Sequence, residues 1–101
     1  MALTRGSLIG YDTELMMFKF TMMARDARIV ECLISSVAMD RMDGRRGTLP
    51  SEREAQFMRH RDIIDKVASD SFEERGSMPD AVLRIFEKDL PPEIRARKSR
   101  Q

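Results

Sequence analysis

Two stretches of alternating side chains, joined by a short polar link, constrain this chain more than anything else in it. Between Met16 and Met23, the residues Met16, Phe18, Phe20 and Met22 fall on one face and Met17, Lys19, Thr21 and Met23 on the other. Side chains alternate faces along a strand, so this period predicts a half-buried β-strand. Ala24-Arg25-Asp26-Ala27 has the length and polarity of a hairpin connection. From Arg28 to Ile34 the alternation resumes, with Val30, Cys32 and Ile34 on one face and Ile29, Glu31 and Leu33 on the other. Strands this close in sequence pair as an antiparallel hairpin.

A bare hairpin is marginal, so the rest of the chain must cover it. Ser35 or Ser36 is placed to cap a short helix with Ala38, Met39 and Met42 inward, and Gly44 is placed to end it. After a loop over 44–50, Ser51 and Glu54 have capping-box spacing and open a long helix. Its inward stripe is Phe57, His60, Ile64, Val67, Ala68 and Ser71, with Ile63 and Phe72 at the margins. Arg53, Arg59, Arg61, Asp62, Asp65 and Lys66 are expected on its outer surface, and it should stop before Gly76. Residues 81–90 fit either a short helix or a strand. The need for a third strand favours the strand, with Leu83 and Ile85 on one face. The expected fold is α+β: a small three-stranded, mainly antiparallel sheet with two helices on one face, in the order ββααβ. Residues 1–12 read as a lead-in segment, 13–90 as a single domain and 91–101 as a flexible basic tail.

With 42% apolar and 35% charged residues, the chain can build a core and lacks the composition of disorder. No apolar run approaches the ~20 residues of a membrane span. Met1 to Gly10 has one arginine and no apolar run of signal-peptide length, so no export signal is read. One cysteine, Cys32, cannot form an internal disulfide, and the cytoplasm follows as the default compartment. The net charge of +1 divides unevenly: the tail is basic and residues 1–90 are mildly acidic. A duplex-binding domain carries its positive field on the folded body.

The order and spacing of several residues resemble a small bacterial family known as domain of unknown function fourteen-eighty-eight. The carrying features are Ser7 with Tyr11-Asp12, Ile34-Ser35 leading into Ala38-Met39, then Phe57, His60-Arg61-Asp62, Ile64 and Ala68, and finally Asp89-Leu90. The likeness is diffuse and spans roughly residues 7–90. It implies a compact α+β fold and a strand within 81–90, and it implies no activity.

Each motif has a bland reading beside its chemical one. His60-Arg61-Asp62 spells the kinase catalytic-loop tripeptide, but the glycine-rich loop, paired lysine and metal-binding aspartate of a kinase are missing. His60 therefore reads as a hydrogen-bonded residue at the core edge, with a binding contact as the weaker alternative. Asp40, Asp43 and Gly44 fail the calcium-loop pattern, because Met39 and Arg41 stand where acids are required. One histidine and one cysteine exclude a zinc site without a second chain. Cys32 reads as a buried apolar residue and not a nucleophile. No cofactor is implied.

Two surfaces remain. Met17, Met23, Ile29 and Leu33 form a second apolar face of the hairpin, which helices on one side would leave bare. Arg45 and Arg46 on a glycine-flanked loop, with Arg95, Arg97, Lys98 and Arg100 in the tail, are the candidate contacts to an anion or nucleic acid. The expected function is a non-catalytic protein–protein interaction module that self-associates. The alternative is an accessory nucleic-acid-binding protein using those cations. An enzyme ranks third, because the carboxylates are scattered.

Overall fold

The computed structural model describes residues 2–44, 47–75 and 82–95. Four strands, β1 (Leu3–Asp12), β2 (Met17–Ala24), β3 (Ile29–Ser35) and β4 (Leu83–Ile85), form one sheet in the order β1-β2-β3-β4. The first two pairings are antiparallel and the third is parallel. Between β3 and β4 come helices α1 (Ser36–Asp43), α2 (Arg53–Arg59) and α3 (Arg61–Arg75), with a 3-10 turn at Pro50–Glu52. A second 3-10 turn at Glu87–Asp89 and a short helix α4 (Pro92–Arg95) follow β4.

This corrects the expected fold in three places. The sheet has four strands and is mixed, not three-stranded and antiparallel. The added strand is the supposed lead-in: Leu3–Asp12 runs along β2 as an edge strand. The last strand lies parallel to β3, and the helices between them supply the long crossover that a parallel pair requires and a hairpin turn cannot give. The order is therefore βββαααβα. The tail also starts later than expected, since α4 follows Pro91 and buries Ile94 in the core. The rest of the tail lies outside the described residues.

Cross-strand register divides the sheet into two unlike faces. Phe18 opposes Ile34, Phe20 opposes Cys32 and Met22 opposes Val30, and all six are buried in one core. Leu83 and Ile85 extend this inner face through β4. The helices lay Ala38, Met39, Met42, Phe57, Ile64, Val67 and Ala68 onto it. Met16 departs from the expected pattern: it precedes β2, has a φ of 55° and is exposed. Met17, by contrast, is buried outside this core.

Local signals explain the helix ends. The Ser35 hydroxyl accepts from the Ala38 amide at 3.1 Å and caps α1, and Gly44 closes it at φ 73°. The helix predicted from Ser51 onward begins instead with the 3-10 turn, where the Glu52 carboxylate accepts from the Leu49 amide at 3.3 Å. It is also divided: His60 leaves helical geometry at φ −111° and ψ 15°, separating α2 from α3. On either side of the separation, α2 and α3 both contribute side chains to the same core, Phe57 from the first and Ile64, Val67 and Ala68 from the second.

Two substitutions test this packing. Phe57 is fully buried between Phe18, Phe20 and Arg61. Phe57→Ala is expected to lower unfolding free energy by about 3–5 kcal/mol in denaturant melts. At Gly6 an added Cβ would stand 2.5 Å from the backbone oxygen of Thr21. Gly6→Ala should therefore force β1 away from β2 and cost about 1–3 kcal/mol, measured the same way.

Candidate functional site

The helices do not meet through apolar residues alone. Asp40 and Asp43 stand one turn apart on α1 and face Arg53, Gln56 and His60 on α2 and its end. Asp40 accepts from Arg53 Nη1 at 2.6 Å, Gln56 Nε2 at 2.9 Å and Thr48 Oγ1 at 2.9 Å. Asp43 accepts from Gln56 Nε2 at 2.9 Å and Arg59 Nη2 at 2.8 Å, and contacts His60 Nε2. Burial alone would raise the Asp43 pKa. The hydrogen bonds from His60, Arg59 and Gln56 outweigh it and hold the carboxyl below its ordinary 3.8. His60 is thus a hydrogen-bonded residue at the core edge, tied to Asp43.

A second cluster fastens β1 to α3. Arg5 donates from Nε to Asp65 and from Nη2 to Asp62, both at 2.5 Å. Asp65 is only 2% exposed, and Arg61 lies buried beside it with its guanidinium 5.5 Å from the centre of the Phe57 ring. The expectation that Arg53, Arg61 and Asp65 take the outer helix surface is therefore overturned. The stems of the two arginines run along the core while their heads lie beside Asp40 and Asp65, and Asp65 in turn accepts from Arg5. The sequence did carry a signal for the first cluster. The spacing of Asp40 and Asp43, and of Arg53, Gln56 and His60, puts each set on one helix side.

Beside the first cluster a cleft of about 680 Å³ opens between the β1–β2 turn, α1 and the segment from Gly47 to Arg53. Tyr11 and Arg53 lie in its wall with the guanidinium 5.2 Å from the centre of the tyrosine ring. Met16 and Val37, both exposed, stand at its mouth.

The expected interface residues meet different fates on the outer sheet face. Met23 and Ile29 oppose each other and are exposed, Leu33 is half-buried and Met17 is buried. Thr4 and Gly10 of β1 and Arg84 of β4 extend the same face. Lys19 sits there too, but its amine is 3.3 Å from Asp12 of its own chain. Of the expected anion contacts, Arg45, Arg46, Arg97, Lys98 and Arg100 lie outside the described residues. Arg95 ends α4 and is exposed. Cys32 is free and buried, and burial pushes its thiol up to about 12, which removes it as a nucleophile at neutral pH. Among the described residues, no group of three or more histidine, cysteine, aspartate or glutamate side chains is placed to hold a metal ion. No helix among them is long and apolar enough to cross a membrane.

With this geometry established, comparison with known proteins places the chain. A family described as "Protein of unknown function (DUF1488)" matches residues 9–85. The chain belongs to this family. A crystal structure of a DUF1488 protein of unknown function from Shewanella loihica PV-4 superposes with a TM-score of 0.68 at 14% identity, covering 83% of this chain and 91% of that one. At that identity the likeness concerns the fold. No curated protein matches the chain. The DUF1488 likeness read from the sequence is thereby confirmed for the family; the match takes in Tyr11-Asp12 and His60-Arg61-Asp62, while Ser7 and Asp89-Leu90 lie outside it.

Asp43 gives a test of the network. Its folded pKa is lowered, so its stabilising contribution is present above 3.8 and is lost as pH falls through the lower folded value. Asp43→Asn is expected to destabilise the fold by about 1–3 kcal/mol at pH 7, and the gap to wild type should close as pH falls towards 2. Thermal melts across this range measure it.

Proposed function

We infer that this DUF1488 chain is a non-catalytic protein–protein interaction module of the cytoplasm that pairs with a second copy of itself across the outer face of its sheet. The observation that carries this reading is the one-sidedness of the fold. Every core residue contributed by the helices packs on the inner face. On the other side Ile29 is 66% exposed and Met23 39% exposed. Apolar residues grouped on an uncovered sheet face are the usual mark of a contact surface.

Charge on the same face supports a copy of this chain as the partner. Glu31 is exposed beside Thr21, and Arg84 is exposed opposite Leu33 with no partner among the described residues. A twofold arrangement brings Arg84 of one copy towards Glu31 of its mate and fixes register more than it adds affinity. Lys19, another cation of this face, is engaged with Asp12 of its own chain. The non-catalytic part of the reading is supported by the use to which the charged clusters are put. Asp40, Asp43 and Asp65 hold helices and strands together. The buried free thiol of Cys32 accords with a reducing compartment.

Sedimentation equilibrium tests the pairing. Wild type is expected to be dimeric at high micromolar concentration. Ile29→Asp, at an exposed position outside the core, should be monomeric with an unchanged melting temperature. A monomeric wild type at that concentration ends the idea.

A further inference from the structure

Apart from the cleft beside α1, a groove of about 620 Å³ runs between the C-terminal half of α3 and the segment from Asp89 to Ile94. Its two walls carry charge of the same sign. Asp70 and Glu74 stand on α3, and Asp89 and Glu93 on the opposite segment. Lys66 is the one cation in this lining, and it is tied to Asp70 at 2.9 Å. Lys88 and Arg95 are close in sequence but do not line the groove. Glu74 and Glu93 are exposed, and neither has a cation paired with it among the described residues. Glu74 also lies in the last turn of α3, where the helix dipole favours positive charge. Carboxylates on opposite walls of one groove repel, and a cation between them relieves that repulsion.

A second observation points to a ligand. Ser71 is only 8% exposed and lines the groove, yet its hydroxyl has no hydrogen-bond partner among the described residues. A serine inside a helix commonly bonds back to the carbonyl one turn earlier. The Ser71 oxygen makes no such bond and is not sealed from water, and in a residue so nearly buried the groove is where it opens. A hydroxyl oxygen accepts from an ammonium. Around it the floor is apolar, with Ile63 and Pro91 half-buried and Val67 and Ile94 buried. A hydrated metal ion gains nothing from such a floor, whereas an alkyl chain bearing ammonium groups does. Acidic walls on either side of an apolar floor match a molecule with a cation at each end and methylenes between. The volume lies within the ordinary range of small-molecule sites.

We propose that this groove binds an aliphatic diamine, one ammonium held by Glu74 and the Ser71 hydroxyl, the other by Glu93, and the methylenes laid on the floor between α3 and α4. The site uses neither the outer sheet face nor the networks around Asp40, Asp43 and Asp65, and it stands whether or not the chain dimerises.

The test is titration of the full chain at low ionic strength with putrescine, butylamine and magnesium ion, followed by nitrogen-15 NMR at the Ser71 and Ile94 amides. Putrescine is expected to shift both signals saturably and to bind about tenfold tighter than butylamine, because its second ammonium makes a second set of charge-assisted contacts. Magnesium should bind no tighter than butylamine, and added salt should weaken putrescine. Glu74→Gln and Glu93→Gln, both at exposed positions, should each weaken putrescine several-fold without changing the melting temperature. Lys66→Gln frees Asp70 and should have the opposite sign, tightening putrescine several-fold. No saturable shift, equal affinity for putrescine and butylamine, tighter binding of magnesium, or unchanged binding in both glutamate variants would each overturn the proposal. Binding seen only after Arg97, Lys98 and Arg100 are replaced by glutamine would make the chain's own basic tail the occupant, and would overturn it as well.

Discussion

Phe57 stacks on Phe18 with ring centroids 4.7 Å apart and tilts against Phe20 at 4.8 Å. Much of the helical layer hangs on this contact. Helix α2 spans only Arg53–Arg59, too short to persist without tertiary support. The aromatic trio supplies that support by seating α2 on the middle of β2. Once it is seated, Arg53 and Gln56 reach Asp40 on α1, and Arg61 closes over the outer side of the Phe57 ring. The polar network is therefore a consequence of the apolar contact. Offset aromatic pairs give direction as well as burial, which suits a junction that must orient a helix of two turns.

The buried charges follow a different logic from the core. Placing Asp40, Asp43 and Asp65 away from water is costly, and their cationic partners roughly offset that cost. Their value lies in what they exclude. A sheet face carrying several aliphatic residues would accept α1 and α2 in more than one rotation. The matched set of Asp40 with Arg53, and Asp43 with Arg59 and His60, is satisfied in one arrangement. Arg5 does the same for β1, because its fork reaches both Asp62 and Asp65 only when the strand lies where it does.

Much of this was legible in the sequence wherever periodicity was unbroken. The alternation of β2 and β3, the Ser35 cap, the Gly44 stop and the inward stripe from Phe57 to Ala68 all follow from local rules. The failures come where a local rule was interrupted or a distant partner decided. In β1 the register shifts between Arg5 and Leu8 and again between Leu8 and Gly10, so no period of two survives to be read. The break at His60 involves no glycine or proline and is fixed by packing on both sides. Arg53, Arg61 and Asp65 looked like a solvated face because charge usually marks one; opposing charges on α1 and β1 meet Arg53 and Asp65 inside, and Arg61 lies between Asp65 and the Phe57 ring. The parallel pairing of β4 was not legible: a parallel pair requires a long crossover, but helices between two strands do not by themselves fix the direction of the second, and three lie between β3 and β4.

The irregularity of β1 also bears on how copies of this fold can meet. A ten-residue edge strand is a template for pairing with another chain through its free backbone groups. Bulges twist an edge away from flat pairing, and a charge on the strand opposes it. β1 has two irregularities, and it carries Arg5, whose head is drawn to Asp62 and Asp65 on the helical side. At the opposite edge β4 is only three residues long, too short to template a neighbour. Both edges are thus blunted, whereas the outer face remains regular along β2 and β3, where seven consecutive residue pairs keep register from Met17↔Ser35 to Met23↔Ile29. A regular face between two blunted edges favours contact through side chains over strand addition. Affinity there depends on Met23, Ile29 and their neighbours, and not on backbone hydrogen bonds that any extended chain could supply.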